Sequence, residues 1–328
     1  MPTRIAAGLY GEGAVGKSLL ALMLAVACVT GGTFLRYQVK KGAVIYLCCE
    51  DDEDEVHRRL AGICKFLNVD MASLEDLLIV ALADEDAVLA ATDGRSEVLT
   101  TTYRYDQVVE LAEKVRPVLV IGDTLADVLA ATENSRMIAK QFVRKMRPLA
   151  VPYGGTFLVL AHPSLSGINT GRGSSGSTGW RNTFRWDGFL HKVLDESGRE
   201  TDPNNRVLSV MKANYGPQDG EIPLRYVDGA YMLDTTRLAN TGGDPMIANL
   251  KAEKVFIELL NKYIGQNRYV STSEGKSYAP AVFGTDAAAE GVNKKQLKSA
   301  MERLLERGKI ENAPHGAPSK KQFRLFPR

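Results

Sequence analysis

Short continuous apolar runs alternate with longer segments of helical period along the first half of the chain. The runs are IAAGLY, AVIYLCC, LLIVAL, VLVIGD and FLVLAH. Runs of this length without polar alternation are typical of strands buried on both faces of a sheet. The segments between them include LLALMLAVACV, which is apolar throughout, and DDEDEVHRRLAGICKFL, YDQVVELAEKV and MIAKQFVRKMRPLA, which have a helical period. The alternation predicts a doubly wound α/β domain with a largely parallel sheet.

The pattern changes after Arg185, where strand-like runs follow one another without helices between them. They are FLHKVL, RVLSVMKANYG, IPLRYVDG and AYML. Parallel pairing needs a long crossover connection, which these runs lack. We therefore expect an antiparallel extension at one edge of the sheet.

The C-terminal part of the chain has a different organisation. TRLANTGGDP has the composition of a linker. Two helical segments follow, LKAEKVFIELLNKYI and VNKKQLKSAMERLLERGKI, and KIENAPHGAPSKKQFRLF then indicates two short strands around a Pro/Gly turn. The order helix, helix, two-stranded wing predicts a winged-helix domain. We expect an α/β domain over 1–235, a linker over 236–248 and the winged helix over 249–328.

Composition excludes several classes of protein. Hydrophobic residues make up 45% and charged residues 24% of the 328 residues, which argues against bulk disorder. No apolar run approaches the ~18–20 residues of a membrane span, and no signal-peptide pattern opens the chain, so we expect a cytoplasmic protein without a membrane partner. The four cysteines (Cys28, Cys48, Cys49 and Cys64) form no CxxC pair. They predict neither a zinc site nor a disulfide framework, only reduced core residues.

Positive charge is concentrated at the C-terminal end. Residues 292–328 contain ten Lys or Arg against three Glu, whereas the net charge of the whole chain is +2. A basic small domain is typical of contact with nucleic acid. The alternative is that these charges only keep the domain soluble.

One motif indicates nucleotide binding. GEGAVGKS, which spans Gly11 to Ser18, matches G-x-x-x-x-G-K-[ST] between a predicted strand and a predicted helix. Lys17 is expected to reach the β- and γ-phosphates of ATP, and the Ser18 hydroxyl to bind Mg²⁺. The predicted phosphate-binding residues are Gly11, Gly13, Ala14, Val15, Gly16, Lys17 and Ser18.

Three further candidates follow buried strands, at the edge where open α/β sheets place their ligands. Asp123 ends VLVIGD and is the candidate acid for the metal. Glu50 follows AVIYLCC and is a candidate base for orienting water, but Asp51, Asp52 and Glu53 crowd it, and this acidic run could equally cap the next helix. His162 ends FLVLAH and is either a γ-phosphate contact or a structural histidine.

Six motifs together resemble a known family. GEGAVGKS, YLCCED, VIGDTLADV, LAHPS, SGSTGWRNTFRW and MKANYG follow in this order. They resemble the RecA-fold ATPases of the plasmid RepA replicative-helicase type and their phage-encoded relatives, over about residues 4–235. The resemblance implies a ring-shaped homo-hexamer that hydrolyses ATP between subunits and moves on single-stranded DNA.

The resemblance also implies site residues. It makes Glu50 the catalytic base, Asp123 the Mg²⁺-associated acid and His162 the γ-phosphate sensor. Arg185 of NTFRW becomes the arginine finger that reaches the ATP of the neighbouring subunit. Such an arginine is worth about 10³–10⁵ in rate.

Two other cations compete for roles in the neighbouring site. Arg181 lies four residues before Arg185 and is expected to share a helical face with it. Lys212 of KANYG is a second trans cation by the resemblance, or a lysine on an exposed strand end. The segment from Ser175 onward is expected to begin a helix. The Gly/Ser-rich segment 163–178 is expected to be a loop that contacts single-stranded DNA, or else a disordered connector.

The leading hypothesis is an ATP-dependent hexameric DNA helicase or translocase of a plasmid, phage or mobile element. The alternative is a DNA-binding regulatory or recombination ATPase that separates no strands. A small-molecule kinase is disfavoured because SGST…R is present and a lid-like arginine cluster is absent. The winged helix is expected to bind DNA or a protein partner. The first core strand lies close to the start of the chain, so we expect either that a priming module is absent or that these are not the natural ends.

Overall fold

The computed structural model describes residues 1–93, 97–163, 178–195, 197–214, 220–238, 245–289, 291–315 and 322–327. The chain divides into two compact units, Met1–Leu233 and Asp234–Arg328. Within the described ranges, no helix is both long and apolar enough to cross a membrane.

The first unit contains the strands predicted from the apolar runs, together with several shorter ones. The strands are β1 (Ala6–Gly11), β2 (Thr33–Phe34), β3 (Tyr37–Gln38), β4 (Val44–Cys48), β5 (Leu77–Ala81), β6 (Ala90–Ala91), β7 (Thr100–Thr101), β8 (Leu119–Asp123), β9 (Leu129–Ala130), β10 (Thr156–Ala161), β11 (Trp186–Lys192), β12 (Asn205–Ala213), β13 (Glu221–Val227) and β14 (Ala230–Leu233). The α-helices are α1 (Lys17–Thr30), α2 (Glu53–Leu67), α3 (Tyr103–Val115), α4 (Leu125–Val128), α5 (Arg136–Met146) and α6 (Thr178–Thr183).

Among the described residues, nine strands form one sheet in the order β14-β13-β12-β11-β1-β10-β8-β4-β5. The pairs from β11 to β5 are parallel, whereas β11 through β14 pair antiparallel. The α/β fold with a mostly parallel sheet is therefore confirmed, and so is the antiparallel extension at one edge. The short strands form a β2–β3 hairpin and a small sheet β7-β6-β9.

Apolar side chains cover both faces of the central sheet, as the unbroken apolar runs predict. Along β10, Leu158 and Leu160 pack in a cluster with α1 and α2. Phe157 and Val159, which point to the opposite face, pack in a second cluster with α3 and α5. Because alternate residues of a strand face opposite sides, a strand with helices on both faces needs apolar residues at every position.

The C-terminal unit contains the two predicted long helices and the predicted pair of strands, together with two short helices that the sequence analysis did not predict. It comprises α7 (Thr235–Leu238), α8 (Pro245–Gly265), α9 (Ala279–Phe283), α10 (Lys294–Glu306), β15 (Ile310–His315) and β16 (Gln322–Pro327), with β15 and β16 antiparallel. The predicted apolar stripe of α8 is buried. Helix α8 begins inside the predicted linker 236–248, and the unit boundary follows Leu233. The winged-helix assignment stays a prediction.

Candidate nucleotide-binding site

Four neighbouring parallel strands end at one edge of the sheet and bring the predicted residues together. In the order β1, β10, β8 and β4 they carry the glycine loop, His162, Asp123 and Glu50. A cavity of about 380 Å³ lies at this edge, and Lys17, Ser18 and these three side chains line it. The carboxyl edge of a parallel sheet is where open α/β folds bind ligands.

Glycines shape the loop between β1 and α1. Gly16 has φ 99°, in the left-handed region that favours glycine. A Cβ at this position would lie 2.1 Å from the Tyr231 hydroxyl. A Cβ on Gly11 would lie 2.6 Å from the carbonyl oxygen of Leu190 on the paired strand. The backbone can therefore follow this path only with glycine at both positions.

Lys17 lies at the first position of α1 and folds back over the loop. Its Nζ donates hydrogen bonds to the carbonyl oxygens of Gly11 at 2.8 Å and Glu12 at 3.0 Å. Burial lowers the pKa of Lys17, while the charges of Asp123 and Glu50 oppose that change. The ammonium group is thus held within the loop that would cradle phosphates.

Asp123 is buried at the end of β8, where Tyr46 holds one of its oxygens. The Tyr46 hydroxyl donates to Asp123 Oδ2 at 2.6 Å, whereas Oδ1 is buried without a hydrogen-bond partner in the described part of the chain. Burial raises the pKa of Asp123 to about 6, and hydrogen bonds from Tyr46 and Ser18 oppose the increase.

The pairing of a carboxylate with the Ser18 hydroxyl suits Mg²⁺. This hard cation takes oxygen ligands, and at nucleotide sites it binds a few protein groups, waters and substrate phosphates. No group of three or more His, Cys, Asp or Glu that could hold a metal is found among the described residues. Ser18 and the unpartnered oxygen of Asp123 therefore fit a cation shared with a nucleotide.

The acidic run after β4 divides into separate roles. Asp52 caps α2, because its side chain accepts a hydrogen bond from the Glu55 backbone N–H at 2.8 Å. Asp51 pairs with Arg59 at 2.5 Å. Glu50 takes neither position and lines the cavity with its side chain 51% exposed, where its Oε1 lies 3.9 Å from His162 Nε2. Asp51 and Glu50 both line the cavity, but Asp51 is paired with Arg59, whereas Glu50 lies close to His162.

The antiparallel extension supports the glycine loop through residues that the sequence analysis did not single out. The Val15 carbonyl oxygen accepts hydrogen bonds from Arg206 Nε and the Tyr231 hydroxyl, both at 3.1 Å. Arg206 in turn pairs with Glu200 at 2.7 Å. No local signal identifies them, since β12 and β14 follow the loop by about two hundred residues and reach it only through the sheet.

An aromatic side chain, that of Tyr226, also lines the cavity, and the sequence analysis did not identify it. Tyr226 lines the cavity with 40% of its surface exposed, and Arg58 lines it as well. Gly62 and Gly229 are also part of the lining, and a Cβ on Gly229 would lie 3.1 Å from the Gly62 Cα. A side chain at position 229 would therefore press on the backbone of α2.

Arg185 and Lys212 lie away from this cavity. The Arg185 backbone N–H donates to the carbonyl oxygen of Ala6, at the first residue of β1. The glycine loop begins five residues later, and at ~3.3 Å per residue the separation along the sheet is about 16 Å. The side chain of Arg185 is exposed. Arg185 therefore lies at the opposite edge of the sheet from the nucleotide cavity.

The expected helical pairing of Arg181 with Arg185 is wrong. Helix α6 ends at Thr183, so Arg185 lies in the connection to β11 and only Arg181 is helical. Arg181 Nη2 donates to the Met211 carbonyl oxygen at 3.3 Å. The predicted helix start at Ser175, like nearly all of the predicted DNA loop 163–178, lies outside the described residues.

Exposed lysines mark one face of the C-terminal unit. Lys295 and Lys298 are exposed near the start of α10. Asn293 caps this helix by accepting a hydrogen bond from the Gln296 N–H at 3.0 Å. The two lysines lie three residues apart, so they share one face of the helix.

Comparison with known proteins adds two findings. A family model described as an AAA domain matches residues 1–167. The crystal structure of the RadB recombinase is similar with a TM-score of 0.46 and 14% sequence identity, covering 70% of this chain and 91% of that chain. No curated protein matches the sequence.

Proposed function

The chain belongs to the AAA-domain family of P-loop ATPases, and we propose that it hydrolyses ATP with Mg²⁺ at sites shared between neighbouring copies of itself. We further propose that hydrolysis drives a DNA helicase or translocase. The observation that carries the proposal is the division of the predicted residues between the two edges of one sheet. Lys17, Ser18, Glu50, Asp123 and His162 surround one cavity, whereas Arg185 is exposed at the opposite edge.

Each residue at the cavity has a role that its position supports. Lys17 leaves the loop carbonyls to bind the phosphates, Ser18 and Asp123 hold Mg²⁺, and bound Mg²⁺ neutralises phosphate charge. Glu50 orients the attacking water and accepts its proton, and the adjacent His162 contacts the γ-phosphate. Among these predicted residues, the first unit provides the nucleotide-binding groups and the catalytic base. Among them it provides no arginine finger for its own site.

Arg185 of a second copy supplies the missing cation. A head-to-tail arrangement, in which one edge of each sheet faces the opposite edge of the next, either closes into a ring or continues as a filament. The resemblance of the motifs to ring helicases favours a hexamer. Since a trans arginine contributes about 10³–10⁵ in rate, an isolated copy should hydrolyse ATP slowly.

Nucleic acid is the proposed substrate of the motor. The exposed pair Lys295 and Lys298 on α10 and the ten cations of residues 292–328 support a phosphate-binding face. Single-stranded DNA is proposed to contact segment 163–178, and the C-terminal unit is proposed to bind DNA or a protein partner. The other candidate, a recombination or regulatory ATPase, shares these sites but separates no strands.

ATPase activity measured against protein concentration tests this proposal. We expect activity per subunit to rise with concentration and to increase further with single-stranded DNA. If the protein stays monomeric and its activity per subunit does not depend on concentration, the proposal of a shared site is contradicted. Strand displacement from a forked duplex then separates a helicase from an ATPase that only binds DNA.

A further inference from the structure

The side-chain ammonium group of Lys212, a residue of β12, lies at the C-terminal end of α6, next to the backbone that leads to Arg185. Its Nζ donates hydrogen bonds to the carbonyl oxygens of Arg181 at 2.7 Å, Phe184 at 2.7 Å and Asn182 at 3.3 Å. The last carbonyls of a helix have no partner within the helix, and a cation there also interacts favourably with the helix dipole. The three N–H groups of Lys212 are thus matched by three acceptors of its own chain.

A buried carboxylate lies beside this cation. Asp187 of β11 pairs in register with Lys212 of β12 and is 2% exposed. Neither of its oxygens has a hydrogen-bond partner within the described ranges. Burial raises the pKa of Asp187 to about 7, against the opposing charges of Lys212 and Arg181. Asp187 therefore favours a cation at position 212 even though it makes no direct hydrogen bond.

The segment held by Lys212 is otherwise anchored at both ends. Trp180 is buried, donates its Nε1–H to the Glu133 carbonyl oxygen at 2.7 Å and stacks on Phe184. The Arg185 N–H donates to Ala6, and the Arg185 carbonyl oxygen accepts from the Asn214 N–H at 3.0 Å. The backbone of Arg185 is fixed while its side chain is exposed.

We propose that Lys212 is a positioning residue for Arg185, and not a second cation that contacts the neighbouring nucleotide. Lys212 binds the carbonyls of Arg181, Asn182 and Phe184 and so sets the direction in which the finger leaves the sheet. This inference rests on the proposed trans role of Arg185. It reassigns Lys212 from the role that the motif resemblance implies, because all three N–H groups of Lys212 are bound to carbonyls of its own chain and the buried Asp187 pairs with it in register, whereas Lys17 lines the nucleotide cavity itself.

We call the hydrogen bonds from Lys212 to the carbonyls of Arg181, Asn182 and Phe184 the clamp. Tryptophan fluorescence tests the clamp in the absence of nucleotide and of assembly. The chain has two tryptophans, Trp180 and Trp186, and both flank the clamped segment. Lys212→Met should shift the emission to longer wavelength and increase quenching by acrylamide in dilute, nucleotide-free protein. Lys262→Met is the control, since Lys262 Nζ donates to Asp286 Oδ1 at 2.9 Å and Oδ2 at 3.0 Å in the C-terminal unit, which contains neither tryptophan. It should leave both signals unchanged. Unaltered fluorescence in Lys212→Met would overturn the clamp.

Single-turnover ATP hydrolysis tests the link to Arg185. Lys212→Met should lower the rate at least 10-fold, keep the KM for ATP within about twofold, and cause no further loss in an Arg185→Ala background. Equal loss in both backgrounds would overturn the positioning role, because it means an independent contact or general destabilisation. If Lys212→Met does not fold, Lys212→Gln keeps an amide donor for the same measurements. Full activity in Arg185→Ala alone would instead refute the proposed function, while the fluorescence result still decides the clamp.

Discussion

Replacing Asp123 by Asn should make the nucleotide-free protein progressively more stable, relative to the parent protein, as the pH rises. Asp123 is buried with one unpartnered oxygen, and its pKa is raised to about 6, against ~3.9 in an unfolded chain. The folded state therefore binds the Asp123 proton more tightly than the unfolded state does. Its free energy of unfolding falls as the pH rises from about 4 to about 6, and the loss is complete above that range.

The size of the effect follows from the two pKa values. A difference of about two units corresponds to about 3 kcal/mol in full, and roughly 2 kcal/mol of that lies between pH 4.5 and pH 7.5. An Asn amide in the same pocket carries its own cost, about 1–3 kcal/mol for an unpartnered buried donor, but this cost does not vary with pH. The pH dependence of the difference between the two proteins is therefore the quantity to measure.

Urea unfolding at several pH values, without Mg²⁺ or nucleotide, provides the measurement. Tryptophan emission is a suitable probe because Trp180 and Trp186 both lie in the first unit. Asp187 also has a raised pKa, but it is present in both proteins and cancels in the difference. A stability difference that stays constant with pH, or grows toward acid, would refute the raised pKa of Asp123. Addition of Mg²⁺ and ATP should stabilise only the parent protein appreciably.

Three further predictions concern assembly, the nucleotide and DNA. Arg185→Ala and Glu50→Gln proteins, each inactive alone, should regain part of their ATPase activity when mixed, because mixed assemblies contain interfaces with both intact groups; no recovery despite shown subunit exchange would contradict the trans role. Stacking of the adenine base on the Tyr226 ring predicts that Tyr226→Ala weakens ATP binding roughly 5- to 150-fold, whereas Tyr226→Phe should bind like the parent protein. Equal affinities of Tyr226→Ala and the parent protein in a fluorescence titration would exclude stacking. The double change Lys295→Ala and Lys298→Ala should reduce the slope of log affinity for duplex DNA against log salt concentration by about two. An unchanged slope would show that these two lysines do not contact DNA phosphates.

Much of the fold could be predicted from local patterns. The unbroken apolar runs predicted strands covered on both faces, and the loss of intervening helices after Arg185 predicted the antiparallel edge, as observed. The helical period of α8 likewise predicted its buried stripe. Short elements such as β6, β7 and α9 were missed, because two to five residues carry no measurable period.

The same patterns failed where the outcome depended on a helix end. Spacing alone put Arg181 and Arg185 on one face, but α6 ends at Thr183 and the chain enters β11 three residues later. The pairing of Arg185 with Ala6 competes with continuation of the helix, and it involves a residue far away in sequence. Such competition cannot be seen in a local window.

The sequence by itself determined the glycine loop, the strand-end positions of Asp123 and His162, and the parallel core, because each depends on neighbours along the chain. Only the tertiary structure decided the partners of the carboxylates after β4: Asp51 is paired with Arg59 and Asp52 caps α2, whereas Glu50 lies beside His162. It also placed Arg206 and Tyr231 beside the loop and Tyr226 in the lining of the cavity. The physical reason is that sheet pairing brings together residues whose contacts leave no periodic signal in the sequence.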